Sequence, residues 1–275
     1  MNASDRYLHN SDALPLMPET AVKLMRTLER DDTTMAEVAA LIERDPSLAV
    51  KVLRVANSAG LGAQREVANL RDAANLIGMR RLRDLSMAAC VANIFPKDGT
   101  FDRARFWRHG LATAGHAKVL AGLCNIDPDT AYLAGLVMRI GRVLMLMVEP
   151  EIVSRCDDLN DSPDSLIGHE FEWLGCSHLE VSAALAKRWN FPRDIVDALV
   201  AARDPLGTLP FSALGAVLRL ASTLADAGDL QLPEIDTLVA TQPALIARME
   251  LSADELAQYL KPWDELTMGV DQLLS

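Results

Sequence analysis

The stretch TMAEVAALIERDPSLAVKVLRVANS, from Thr34 to Ser58, holds a helix, its stop and the start of the next helix. Thr34 and Glu37 stand three apart before an apolar run, the spacing of a capping box in which each side chain takes up the other's orphan backbone N–H. Val38, Leu41 and Ile42 then fall at spacings of three and four, on one helical face. Asp45-Pro46 ends that helix and starts another, with a side-chain acceptor at the N-cap and a proline at N1, where a missing N–H costs nothing. Leu48, Val52, Val55 and Ala56 give the second helix its own apolar face. Two helices over about 35–43 and 46–58 have the layout of a DNA-binding helix-turn-helix, and equally of two packed amphipathic helices. The second opens Pro46-Ser47-Leu48-Ala49-Val50, with few groups able to read base edges, so packing is the preferred reading.

The same punctuation runs through the chain. Asp127-Pro128 and Ser162-Pro163 repeat the N-cap and N1 pattern. Further helices are predicted at about 17–29, 69–77, 79–94, 101–124, 128–148, 150–159, 163–173, 177–189, 192–202, 210–227, 233–239, 243–249 and 252–260. No run alternates apolar and polar residues between turn signals, so no strand is predicted and the fold class is all-α. Phe95-Pro96-Lys97-Asp98-Gly99-Thr100 breaks the pattern between an N-terminal helical layer and a second bundle, and Asp204 to Pro210 forms another loop.

Half of the 275 residues are hydrophobic, enough for a large core. Mean hydropathy is only +0.10, and charged residues are expected to interrupt each apolar run before the roughly 20 residues of a membrane span. Met1 to Asp12 is polar and lacks a signal-peptide pattern, so a cytoplasmic protein without a membrane partner is expected. The net charge of −11 repels phosphate backbones. Against it stand only Arg80, Arg81 and Arg83, read as a solvated face or as partners of acids such as Asp84; nucleic acid is not an expected partner. Cys90, Cys124, Cys156 and Cys176 show neither zinc-site spacing nor the density of a disulfide scaffold, and read as buried or half-buried helical thiols.

No Gly-rich phosphate cradle or nucleophile elbow is present. Of the five histidines, His9 lies in the polar N-terminus and is uninformative. His109 and His116 share a helix face but stand about 10.5 Å apart, too far to chelate one ion. His169 and His178 flank a helix break at Leu174-Gly175-Cys176. By their chemistry alone these side chains read as capping or packing residues.

A set of motifs then occurs in a recognisable order. Leu14-Pro15-Leu16-Met17-Pro18 is followed by Ile42-Glu43-Arg44-Asp45-Pro46-Ser47-Leu48, Leu53-Arg54-Val55-Ala56-Asn57-Ser58-Ala59 and Ala73-Ala74-Asn75-Leu76-Ile77-Gly78-Met79-Arg80-Arg81-Leu82-Arg83. Next come Phe106-Trp107-Arg108-His109-Gly110-Leu111-Ala112, Tyr132-Leu133-Ala134-Gly135-Leu136, Gly175-Cys176-Ser177-His178-Leu179-Glu180-Val181 and Trp189-Asn190-Phe191-Pro192. In this order and spacing the chain resembles the HDOD family, domains of bacterial signal-transduction proteins related to the HD phosphohydrolases. The resemblance runs over about 14–228. It implies an N-terminal helical layer of about 14–95 packed on an HD-like core of about 101–228. A polar segment, 1–13, would precede the domain and a helical extension, 229–275, would follow it.

The HD superfamily holds divalent metal with a histidine, an adjacent His-Asp pair and a later aspartate. The resemblance places His109 first and Asp226 last, with His178 where many members carry a further histidine. The central pair is replaced by Met138-Arg139. A thioether is a soft ligand, and a guanidinium has no lone pair and brings its own positive charge. No metal, cofactor or catalytic residue is therefore expected at His109, Met138, Arg139, His178 and Asp226. Two fates for Arg139 stay open: pairing with Asp226 in place of the metal, or reaching solvent from a rotated helix. The expected function is a non-catalytic regulatory module that binds a partner protein or small ligand, acting as a stand-alone regulator because no receiver or cyclase segment fits the length. The competing readings are a residual metal-dependent phosphohydrolase or phosphodiesterase using His109, His178 and Asp226, and a DNA-binding regulator through 35–58. Asp254, Glu255, Asp264 and Glu265 offer an acidic surface that such helices usually leave solvated.

Overall fold

Local capping chemistry sets the helix starts. In the computed structural model the Thr34 hydroxyl accepts from the Glu37 N–H at 3.3 Å and the Glu37 carboxylate accepts from the Thr34 N–H at 2.8 Å. Asp45 caps through the Leu48 N–H at 3.1 Å, and Asp127 through the Thr130 N–H at 2.7 Å. The structure describes residues 3–9, 17–27, 30, 32–57, 67, 69–92 and 102–274, and every regular element among them is a helix. The Phe95–Thr100 break and residues 14–16, 58 and 59 of the quoted motifs lie outside the described residues.

The chain forms two compact units, Pro15–Arg108 with Thr267–Ser275, and Met1–Leu14 with His109–Leu266. In the smaller unit α2 (Glu19–Arg26), α3 (Met35–Glu43), α4 (Pro46–Ala56), α5 (Leu70–Ile77) and α6 (Met79–Ala92) pack around Leu24, Ile42, Leu48, Val52 and Leu82. Leu48, Val52, Val55 and Ala56 are all buried, as the packing reading of α4 requires. Arg80 and Arg81 are exposed, whereas Arg83 is buried and reaches the Thr27 carbonyl, so the three do not share a surface. The C-terminal α19 (Val270–Leu274) belongs to this unit; Val270 and Leu273 are buried, and the Lys51 ammonium donates to the Leu273 carbonyl at 3.0 Å.

The larger unit contains α1 (Asp5–His9), α7 (Arg103–Leu123) from His109 onward, α8 (Pro128–Val137), α9 (Ile140–Val148), α10 (Pro150–Asp158), α11 (Leu166–Leu174) and α12 (His178–Arg188). It continues through α13 (Arg193–Ala201), α14 (Ala213–Asp229), α15 (Glu234–Thr241), α16 (Pro243–Arg248), α17 (Ala253–Tyr259) and α18 (Trp263–Leu266). α12 packs on α9 and α13, and α14 on α8, α13 and α15.

Several expectations change. The polar N-terminus forms α1, whose Tyr7 is fully buried and, with Arg6, bonds Glu149. Residues 229–275 are not one extension, because α15–α18 complete the larger unit and α19 the smaller. The helix expected over 128–148 breaks at Met138 and Arg139, giving α8 and α9. Together Pro128–Val148 is the one described stretch long and apolar enough to cross a membrane, contrary to the expected interruption; 78% of its most apolar window is buried inside the protein, with a mean hydropathy of 1.7. Finally, α11 starts at Leu166 rather than Pro163, because Asp164 takes a left-handed backbone, φ 71°, that no helix continues through. All four cysteines are free, and burial pushes the Cys90 thiol up to about 12.

Candidate functional site

The break between α8 and α9 is stitched by a single hydroxyl. Ser182 on α12 donates to the Met138 carbonyl at 2.7 Å and accepts from the Gly141 N–H at 2.8 Å, satisfying backbone groups that a continuous helix would have paired. α12 comes this near because residue 141 is glycine: a Cβ there would lie 2.4 Å from the Ser182 nitrogen and 2.6 Å from the His178 carbonyl oxygen. Met138 is fully buried in the break, and Arg139 begins α9.

The break delivers Arg139 to His109 and Asp226. His109 Nε2 lies 2.7 Å from Asp226 Oδ1, the Asp164 N–H donates to Asp226 Oδ2 at 3.0 Å, and Arg139 Nη1 stands 3.9 Å from Asp226 Oδ1. Of the two fates open to Arg139, the structure takes the pairing. Asp164 owes its role to its left-handed backbone, which turns the N–H to Asp226 while its carboxylate binds Arg219 at 2.5 Å and Gln242 at 2.6 Å. Burial would raise the Asp226 carboxyl, but the bond from His109 and the charge of Arg139 hold it below the usual carboxylate range. Burial, then Arg139, push the His109 imidazole down to about 4.

That depression has a direction in pH. An unfolded His109 takes up its proton near 6.5 and the folded one near 4, so its stabilisation is complete above 6.5 and lost as pH falls to 4, to about 3 kcal/mol. The imidazole resonances of His109 should stay in the neutral form until near pH 4 in an NMR titration; a midpoint near 6.5 would contradict the placement.

His178 does not join His109. It opens α12 and faces a second buried cluster, in which Glu170 of α11 accepts from the His178 N–H at 2.8 Å and lies 2.6 Å from His178 Nδ1. Arg142 of α9 bonds the other Glu170 oxygen and Asp157 at 2.5 Å. Burial pushes the Glu170 carboxyl up, yet His178 and Arg142 together hold it at about 2. His116 also stays apart, fully buried with Nε2 3.4 Å from Glu234. Asp164, Arg142, Glu170, Ser182 and Gly141 were not singled out in the sequence. Arg142 had a visible signal, a lone charge inside the apolar run Ile140–Val148, and Asp164 had none.

Comparison with known proteins places this geometry. The family model of the HDOD domain matches residues 14–205, well over half of the chain. The chain belongs to the HDOD domain family. An HDOD domain protein from Geobacter sulfurreducens, 23% identical, shares the fold with a TM-score of 0.72 over 98% of this chain and 97% of its own. A candidate phosphohydrolase from Shewanella amazonensis SB2B, 27% identical, superposes with a TM-score of 0.75 over 98% of each chain. A candidate signal transduction protein from Marinobacter aquaeolei VT8, 23% identical, shares the fold with a TM-score of 0.74 over 100% of this chain and 60% of its own. A protein of uncharacterised function from Treponema pallidum (strain Nichols) is 24% identical over 196 residues, 68% of this chain and 37% of that protein. The chain thus matches little more than a third of that relative's length. The family match stops before Asp226, which only the fold brings to His109.

This HDOD site does not fit the divalent metal of the HD proteins. With Asp226 ionised, the 2.7 Å contact makes His109 Nε2 an N–H donor, so it has no lone pair to offer an ion. His109 Nδ1 faces Thr113 on its own helix, 3.3 Å away. Arg139 brings a fixed positive charge beside the carboxylate that an ion would need. Among the described residues no group of three or more His, Cys, Asp or Glu is placed to hold a metal.

Proposed function

We propose that this HDOD chain is a non-catalytic, cytoplasmic regulatory module that works by binding a protein partner or small ligand. The observation that carries this reading is Arg139 at 3.9 Å from Asp226: the position of the His-Asp pair now supplies a guanidinium as counter-charge, where a metal would activate water. A second reading, residual phosphohydrolase chemistry, is favoured by the 27% identity to the candidate phosphohydrolase from Shewanella amazonensis. The two separate in one preparation. Protein purified without chelator is analysed for Mn, Fe, Ni and Zn and assayed on phosphate mono- and diesters. The regulatory reading expects substoichiometric metal and no turnover, and stoichiometric metal with turnover would overturn it. In the converse experiment, Met138→His with Arg139→Asp removes the blocking charge and restores imidazole and carboxylate donors. It should raise Mn affinity by at least about tenfold over the parent. No gain would mean that the break between α8 and α9 no longer aims residue 138 at the site.

A further inference from the structure

We infer that Arg139 is the receptor of a singly charged oxyanion, a carboxylate or phosphodiester group, bound where the HD relatives place their metal; the inference rests on the regulatory reading and gives its small ligand a chemical class. The starting point is an imbalance between charge and hydrogen bonding. Asp226 balances the charge of Arg139, but its oxygens are engaged by His109 Nε2 and the Asp164 N–H, and the 3.9 Å approach of Arg139 is too long for a hydrogen bond. Among the described residues Arg139 has no hydrogen-bond partner, and its Nε is enclosed without one. A guanidinium carries five N–H donors in a planar fork, and leaving them unmatched in a low-dielectric position is costly. Its neighbour Arg142 is the contrast, with donors spent on Glu170, Asp157 and the Val153 carbonyl.

The surroundings set the ligand's charge. Arg139 is offset by Asp226 and Arg219 by Asp164, so these fixed charges sum to zero. Beyond it, Arg142 stands against Glu170 and Asp157. A dianion would face Asp226 without a spare cation, whereas a monoanion can take two parallel N–H bonds from the fork. The Arg139 side chain keeps 13% of its surface open to solvent, so the guanidinium is not sealed off. Lysine, a point charge without the fork, would not substitute.

The test is isothermal titration calorimetry of the full chain at pH 7.5 with sodium acetate and, separately, sodium dimethyl phosphate, against sodium chloride at matched ionic strength. The expected result is saturable one-site binding of at least one oxyanion and none of chloride; whichever anion binds more tightly identifies the carboxylate or the phosphodiester class. Arg139→Met should weaken that binding by about tenfold or more, and Arg139→Lys, which keeps the charge and the fold, should weaken it several-fold. If the methionine variant fails to fold, the lysine variant alone decides. Absence of saturable binding to both anions, or unchanged affinity in Arg139→Lys, overturns the inference and leaves the regulatory reading in place. Stoichiometric metal with turnover removes the regulatory reading instead.

Discussion

Glu170→Ala should lower the unfolding free energy by roughly 3–5 kcal/mol, the cost of stranding a buried charge whose partner has been cut away. Glu170 is fully enclosed and takes hydrogen bonds from the Arg142 guanidinium and the His178 N–H, with His178 Nδ1 alongside. Without it, Arg142 keeps only Asp157 at the edge and the Val153 carbonyl at 3.4 Å. The carboxylate also sits at the first turn of α12, where the free N–H groups favour negative charge. The neutral isostere Glu170→Gln keeps the shape and loses the charge, so it should fall between parent and alanine variants in urea unfolding. A loss below about 1 kcal/mol in Glu170→Ala would show that Arg142 is solvated rather than paired. The pH dependence has a definite sign. The folded carboxyl is held at about 2 and the unfolded one titrates near 4.5, so its stabilisation is present above 4.5 and lost as pH falls towards 2. His109 loses its own contribution between 6.5 and 4, so acid should destabilise the larger unit in two successive stages.

Gly141→Ala should be the other severe substitution, at about 3 kcal/mol or above, although alanine is the better helix former by about 1 kcal/mol. The added methyl would lie 2.4 Å from the Ser182 nitrogen, 2.6 Å from the His178 carbonyl oxygen and 2.8 Å from Val181 Cβ. Two of these are backbone atoms of α12, which no rotamer change can move aside. Relief requires α12 to withdraw from α9, and with it the Ser182 bonds to Gly141 and Met138. Gly168 in α11 is the internal control: nothing lies within 4 Å of a Cβ there, so Gly168→Ala should be neutral or stabilising by up to about 1 kcal/mol. Equal behaviour of the two alanine variants in thermal or urea unfolding would mean that α12 does not approach Gly141 closely enough to exclude a methyl group.

What the sequence determines by itself is local chemistry and family. Thr34 with Glu37, Asp45 with Pro46 and Asp127 with Pro128 set helix starts because the groups involved lie within four residues of one another, and those caps form as read. The many modest motifs from Leu14 onward carry the HDOD family, and the resemblance sets Met138-Arg139 at the position of the HD metal pair. Tertiary structure alone decides what replaced it. Arg142 and Glu170 are 28 residues apart, Asp164 and Asp226 62, His109 and Asp226 117. No periodicity or spacing rule connects such pairs, since their approach depends on how α7, α9, α11 and α14 stack. Ser162-Pro163 shows the reverse influence. It has the local form of a helix start, but the bonds of Asp164 to Asp226, Arg219 and Gln242 hold that residue at a positive φ and delay the helix to Leu166. The break at Met138–Arg139 has the same origin: the apolar run could have continued as one helix, and Ser182, more than forty residues on, stabilises the interruption that brings Arg139 to Asp226.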